Sequence, residues 1–192
     1  MKIAVLVGSL RKGSYNRMIA NALCGLAPSG TQCEIVEIGD LPLYNPDLDD
    51  PAPPKQWKEF RDRVRGADAV LFVTPEYNRS VPGPIKNAID VGSRPYGQSV
   101  WSKKPAAVVS VSPGAIGAFG ANHHLRQSLV FLDMPALQQP EAYIGGVAGL
   151  VNEKGEVTKE ETREFLRKFM ETFARWIEAN GRAAATSSKR AG

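Results

Sequence analysis

The sequence predicts an α/β fold: one parallel sheet of five strands with helices on both faces, a three-layer sandwich. Three observations point there. Short Val-rich apolar runs alternate along the chain with longer segments whose apolar residues recur at helical spacing. Most of the runs are apolar at consecutive positions, the pattern of strands covered on both faces. The stretches after the first, third and fourth runs are rich in Gly, Ser, Asn and Pro, which marks them as irregular loops at strand ends.

Taken in order, the first strand is Lys2–Val7 (KIAVLV). A helix over Tyr15–Leu26 follows, with Met18, Ile19, Ala22, Leu23 and Leu26 at helical spacing and Pro28 and Gly30 as stops. Cys33–Ile38 (CEIVEI) alternates like a half-buried second strand. Gly39–Lys55, with Pro42, Pro46, Pro51, Pro53 and Pro54, is the one long loop. Trp57–Arg65 carries Trp57, Phe60 and Val64 on one helical face, and Ala69–Thr74 (AVLFVT) is the third strand. Pro84–Val91 is a helix with proline in its first turn, and Ala106–Val111 (AAVVSV) is the fourth strand. Phe119–Leu132 presents Leu125, Leu129 and Leu132, and a fifth strand is expected at Ala136–Gln139 and its flanks. Glu160–Ala179 closes the fold as an amphipathic helix, with Thr158 and Glu161 spaced as a capping box and an apolar face running from Phe165 to Ile177. Strands alternating with helices make βαβ units and hence a parallel sheet, and five strands favour the flavodoxin-like order 2-1-3-4-5.

Composition bounds the function classes. At 192 residues, 43% hydrophobic and 23% charged, the chain is long enough for one core without staples. No apolar run approaches the roughly 18 residues of a membrane span. Cys24 and Cys33 are too few for a disulfide framework and are not spaced for zinc or iron–sulfur. The apolar run Ile3–Val7 is too short for a secretory signal, so a cytoplasmic location is expected. The net charge of +4 comes largely from Arg182, Lys189 and Arg190 in an acid-free last dozen residues, leaving the body near neutral. The domain is therefore expected over 1–180, with 181–192 a solvated, disordered basic tail.

In such a sheet ligands bind beyond the carboxyl ends of the strands, where the strand order reverses. Three loops then carry the function. Gly8–Ser14 joins the first strand to a helix and holds Arg11, Lys12 and two serines, and residues 1–33 contain no acid. A helix N-terminus with hydroxyls and cations reads as an anion site, above all for phosphate, or as a capped helix start with surface charges. It is neither a GxGxxG nor a Walker A motif, since Leu10 stands at the middle glycine of the first, and Ser14 and Tyr15 replace the Lys and Ser/Thr of the second. Pro75–Pro84 (PEYNRSVPGP) offers an aromatic ring and backbone polar groups between prolines, suited to the face and edge of a flat heterocycle or to a stiff turn. Ser112–Ala118, with Gly114 and Gly117, permits a close backbone approach to a ligand or forms a plain turn. His123 and His124 are adjacent, so on a helix they diverge and make a poor metal pair; no metal site is expected.

At these loops GSLRKGSYNR, PEYNRSVPGPIKNAIDVGSRP and SPGAIGAFGANHHLRQSL resemble the NADPH-dependent FMN reductase family, over roughly residues 1–180. Its nearer relatives include chromate, quinone and azo reductases. The resemblance implies bound FMN and two-electron, ping-pong reduction of soluble acceptors by NADPH or NADH. The hydride passes through the flavin, so no protein residue is catalytic in the covalent sense. It implies that the phosphate lies against Ser9, Leu10, Arg11, Ser14, Tyr15 and Asn16. It places the isoalloxazine against Pro75, Glu76, Tyr77 and Asn78, with Ser112, Gly114, Ala115 and Gly117 completing the site. The residue after PEYN, often Gly or aromatic in relatives, is here Arg79, a cation suited to an anionic substrate or the cofactor phosphate. The resemblance also implies a homodimer or homotetramer. In that assembly Tyr44, Asn45 and Leu48 of the Pro-rich loop would close a neighbour's pocket, and Arg126 and Glu141 would pair across subunits or within one. Two rivals are an electron carrier without its own substrate and a non-flavin anion or nucleic-acid module. The near-neutral body disfavours both, because carriers are usually acidic and nucleic-acid modules basic.

Overall fold

The computed structural model describes the backbone of residues 1–187 and side chains through 181. The elements are β1 (Lys2–Val7), α1 (Tyr15–Gly25), β2 (Gln32–Ile35), α2 (Lys55–Arg65), β3 (Ala69–Thr74), α3 (Gly83–Gly92), β4 (Ala106–Val111), α4 (Phe119–Phe131), β5 (Ala142–Ile144) and α5 (Glu160–Ser187). The sheet is parallel throughout, as the strand–helix alternation requires, and its order is β2-β1-β3-β4-β5, the one expected for five strands. Alternate side chains go to opposite faces. Ile3, Val5, Leu71, Val73 and Val109 pack under α1 and α5. Ala4, Leu6, Val70, Phe72 and Val108 pack under α2, α3 and α4. Two apolar cores, one per face, explain why the central strands read as unbroken apolar runs.

Trp101 anchors the second core. It lies on Phe60 and Phe72 at ring-centroid distances of 5.9 and 6.0 Å, and its indole N–H donates to the Ile89 carbonyl at 3.0 Å. Gly92 makes room for it, since a Cβ there would stand 2.4 Å from the indole. The Pro-rich loop is fastened to the same face. Arg61 and Asp49 form a buried two-bond pair at 2.7 and 2.8 Å. The Trp57 indole donates to Pro42, and the Asn87 amide bridges Leu41, Pro42 and Tyr44.

Four expectations change. The fifth strand lies at Ala142–Ile144, and Ala136–Gln139 touches the sheet only through a bridge from Ala136 to Ala106 and a 2.8 Å bond from the Leu137 N–H to the Ala106 carbonyl. Pro135 and Pro140 flank that segment and donate no N–H, so the pairing cannot gain ladder bonds from either flanking residue's nitrogen. Strand β2 ends at Ile35, after which Val36 and Ile38 turn into the α2 side of the core. Thr158 does not cap α5; its hydroxyl donates to the Leu150 carbonyl instead. Helix α5 continues past Ala179 to Ser187, into the stretch read as a tail, through the helix-favouring run Arg182–Ala185. The rest of that tail, 188–192, lies outside the described residues.

Candidate functional site

Strands β1, β3 and β4 are neighbours, so their carboxyl ends deliver three loops to one edge of the sheet. The first two loops touch at Gly8. A Cβ there would meet Ile85, Pro75 and Pro82 at 2.8, 2.9 and 3.0 Å, so only glycine lets the loop after β1 lie against the loop after β3. The second and third meet through Glu76, whose carboxylate accepts the Ala121 N–H at 3.1 Å at the start of α4. Gly120 admits that contact, since a Cβ there would stand 2.8 Å from Glu76 and 2.9 Å from the Arg79 carbonyl.

In the first loop Ser9, Ser14 and Asn16 are buried, while Leu10, Arg11 and Lys12 are exposed. Ser14 caps α1 by accepting the Arg17 N–H at 3.2 Å. The first turn of α1 holds no acid, so its positive end is uncompensated within the helix. Arg17 is not available to a ligand, being tied to Glu37 by two bonds of 2.8 and 2.7 Å. Tyr15 packs on the apolar cluster beneath α1 and α5, and Leu10 lies against Gly39. The Asn16 carboxamide oxygen is buried without a donor.

The loop after β3 is a two-residue hairpin, with Tyr77 and Ser80 exchanging backbone bonds of 3.0 and 2.9 Å. Asn78 and Arg79 occupy its turn at φ 49° and 63°, a backbone that normally favours Asn-Gly. Tyr77 is exposed, and the Arg79 guanidinium stands 3.7 Å from Glu76. After β4, Ser112 accepts the Gly114 N–H at 3.0 Å, leaving Gly114 and Ala115 exposed. Gly117, at φ 64°, sits where a Cβ would collide with the Tyr143 backbone at 2.7 Å, and the buried Ser110 hydroxyl donates to its carbonyl.

The sequence reading missed two contributors, a glycine and an aromatic group. Gly145 lets β5 pass the Ala115 carbonyl, where a Cβ would stand 2.3 Å away. Phe119, His123 and Tyr143 form an aromatic group beside the third loop, with a 3.0 Å bond between the His123 ring and the Tyr143 hydroxyl. Burial, reinforced by Glu141, pushes the Tyr143 phenol up to about 12. The Gly145-Gly146 pair after the AYI run was the available signal for the first of these. His124 instead bonds Ser80 at 3.0 Å, so the two histidines serve different loops. Arg126 bonds Asn122 and the Leu137 carbonyl, and its third nitrogen is buried without an acceptor; no ion pair to Glu141 occurs among the described residues.

The arrangement fits FMN. An acid-free helix N-terminus flanked by buried serines suits a phosphate. The orphan Asn16 oxygen lacks a donor, which a hydroxyl of the cofactor's ribityl chain would be of the right kind to supply. The exposed Tyr77 ring and the exposed backbone at Gly114 and Ala115 are groups of the kind a flat heterocycle would need.

Known proteins agree. The family model for NADPH-dependent FMN reductases matches residues 1–149. A quinone reductase of Pseudomonas putida is 67% identical over 178 residues, 93% of this chain and 95% of the relative. A 2-hydroxy-1,4-benzoquinone reductase of a Burkholderia species is 46% identical over 92% of this chain and 96% of its own. Among solved structures, FerB, a flavoenzyme NAD(P)H:(acceptor) oxidoreductase from Paracoccus denitrificans, superposes with a TM-score of 0.88 at 46% identity, covering 93% of this chain and 98% of that one. A flavodoxin from Pseudomonas aeruginosa matches with a TM-score of 0.56 at 16% identity, a likeness of fold alone. On its sheet order, its three joined loops and these likenesses, the chain belongs to the NADPH-dependent FMN reductase family.

Proposed function

We propose that the chain is an FMN-dependent NAD(P)H:quinone oxidoreductase whose site is the continuous surface formed by the three loops. The observation that carries this is their physical junction at Gly8 and Glu76, beside a buried Asn16 oxygen left without a partner. The chemistry FMN supplies when bound is two-electron transfer from NAD(P)H to an acceptor, which needs no acid–base residue from the protein.

The residues bind and orient. Ser9, Ser14, Asn16 and the first N–H groups of α1 hold the phosphate and ribityl chain, with Arg11 adding charge from the rim and Leu10 and Tyr15 fixing the loop. Pro75, Glu76, Tyr77 and Asn78 present backbone to the ring edge. Glu76 acts through its main chain, since its carboxylate is engaged at the start of α4. Ser112, Gly114, Ala115 and Gly117 complete the opposite wall. The acceptor meets an exposed rim bearing Tyr77, Arg79, Ile116 and Phe119. Arg79 there favours acceptors that carry negative charge, hydroxyquinones among quinones and chromate among inorganic ions.

The acting unit is a homodimer or homotetramer, and the protein works in the cytoplasm. The oligomer is supported by a groove of about 540 Å³ between α3 and α4, lined by Ser80, Arg94, His124 and Phe131, beside an α4 end where Val130 and Phe131 are 80 and 86% exposed. A second copy of this chain covers that face. Within the Pro-rich loop, Tyr44 is stacked on Trp57 and Asn45 caps its own turn, so Leu43 and Leu48 are the side chains free to reach a partner.

The test is an anaerobic titration of the purified protein with FMN bound. NADPH should bleach the flavin absorbance and a benzoquinone should restore it. Protein that neither carries nor takes up FMN would overturn the reading, and a monomer by analytical ultracentrifugation would overturn the oligomer.

A further inference from the structure

At the end of the sheet opposite the three loops, the turn before β4 is pinned on both sides. Lys103, at φ 61°, donates its N–H to the Asp133 carbonyl at 2.7 Å. The Lys104 N–H donates to the Trp101 carbonyl at 3.0 Å, and the Pro105 carbonyl accepts the Val70 N–H at 2.9 Å. This fixed backbone delivers the half-buried Lys104 side chain to a cleft of about 430 Å³ beside α5. Met1, Ala67, Pro105 and Ile177 line the cleft, together with the exposed Lys103 and Glu178. The Lys104 amine donates to the Ala67 carbonyl. Among the described residues it pairs with no carboxylate, whereas Lys2 pairs with Glu34 at 2.8 Å and Lys86 with Asp90 at 2.7 Å. Asp68 follows Ala67 in the chain, and one of its carboxylate oxygens accepts the Lys2 N–H at 2.7 Å. Lys104 is thus an amine held in a cleft by a neutral acceptor, with no counter-ion bound to it.

We propose that Lys104 is an acylation site, modified by an acyl phosphate ahead of its exposed neighbour Lys103. An amine attacks an acyl carbon only as the free base, and a half-buried amine without an acid partner is pushed toward that form. Burial lowers the Lys104 ammonium from its ordinary value; the Asp68 charge opposes this and the Arg65 charge adds to it. Lys103 and Glu178 are the other charged side chains on the cleft. In the step, the Nζ lone pair forms a bond to the acyl carbon. The bond from that carbon to the phosphate oxygen breaks, phosphate leaves with the electron pair, and the proton lost by the amine goes to solvent. The Lys103 cation on the same cleft attracts the anionic donor. The product amide keeps one N–H for the Ala67 carbonyl and removes a cation that has no partner.

The full-length protein with FMN bound, treated with limiting acetyl phosphate, digested with trypsin and read by mass spectrometry, tests this. Lys104 precedes Pro105, so trypsin cuts after Lys103 and leaves Lys104 at the start of a peptide ending at Arg126. An acetyl group on Lys104 stays on that peptide, and one on Lys103 blocks the cut before it, so the two are counted separately in one sample. Lys104 should be acetylated about fivefold faster than Lys103 at about pH 7.5, and the ratio should shrink toward about pH 11, where lysines in general are free bases. Asp68→Asn keeps an acceptor for the Lys2 N–H and removes the charge that favours the ammonium, so it should raise the Lys104 rate about twofold or more. Labelling of Lys104 no faster than Lys103 at neutral pH, a ratio that does not change with pH, or a slower Lys104 rate in Asp68→Asn would each overturn the proposal.

Discussion

The Pro-rich loop and the loop after β1 both leave the sheet on the site's side, and they are built in opposite ways. In the Pro-rich loop polar groups find partners within the chain: Asp49 takes both ends of the Arg61 guanidinium, Asn87 serves three backbone groups, and Pro42 accepts from two side chains. In the loop after β1 the opposite holds. Arg11 and Lys12 stand exposed, the helix behind it carries no acid in its first turn, and the Asn16 oxygen is buried without a donor. The comparison teaches that length and proline content do not identify a functional loop. Hydrogen-bonding capacity left open at a helix start is what supports the proposal for the loop after β1.

The largest effect should come from breaking the satisfied loop. Asp49→Ala leaves the buried Arg61 charge uncompensated and should cost about 3–5 kcal/mol in urea unfolding, with the FMN affinity of the folded protein unchanged. Next is the junction. Gly8→Ala places a methyl group against three apolar atoms at 2.8–3.0 Å, and it should cost about 1–3 kcal/mol of stability while weakening FMN binding by tenfold or more in a fluorescence titration. Asn16→Ala separates binding from folding. Apo-protein stability should change by less than about 1 kcal/mol, because a buried unpaired acceptor is removed, whereas FMN affinity should fall about tenfold. If instead apo stability collapsed and affinity held, Asn16 would belong with the structural loop.

A smaller, opposite effect is expected at the hairpin tip. Arg79→Gly relieves a side-chain-bearing residue at φ 63° and should stabilise the chain by up to about 1 kcal/mol while lowering kcat/KM for hydroxyquinones relative to neutral quinones. The smallest is alkaline. Tyr143 holds its proton up to about 12 in the folded chain, against an ordinary value near 10, so the folded state binds more protons across that window. Stability should therefore fall as pH rises from about 10 to about 12, and Tyr143→Phe should remove that part of the slope, read by unfolding at successive pH values.

Much of this was legible in the sequence, and the exceptions have physical causes. The parallel sheet followed from alternation and its order from the count of five strands, and all three loops were located from topology and composition together. The fifth strand was misplaced because the segment between Pro135 and Pro140 makes only a single bridge to β4, while the true strand has only three residues. Thr158 matched a capping box by spacing, yet its hydroxyl is drawn to Leu150 by a tertiary turn that spacing does not encode. In the site, Ser14 and the acid-free helix start could be read directly. The roles of Gly8, Gly120 and Gly145 could not, since each is defined by an atom distant in sequence. Glu76 was read as a ligand residue, and its side chain proves to be a joint between two loops.

The most direct test of the central account, that the unsatisfied loop is the FMN phosphate and ribityl site, is a paired FMN titration of wild type and Asn16→Ala, each followed by anaerobic addition of NADPH and benzoquinone. The account predicts bleaching and recovery of the flavin in the wild type, and about tenfold weaker binding with the same spectral cycle in the variant once it is saturated. Equal affinity in the two proteins would contradict it.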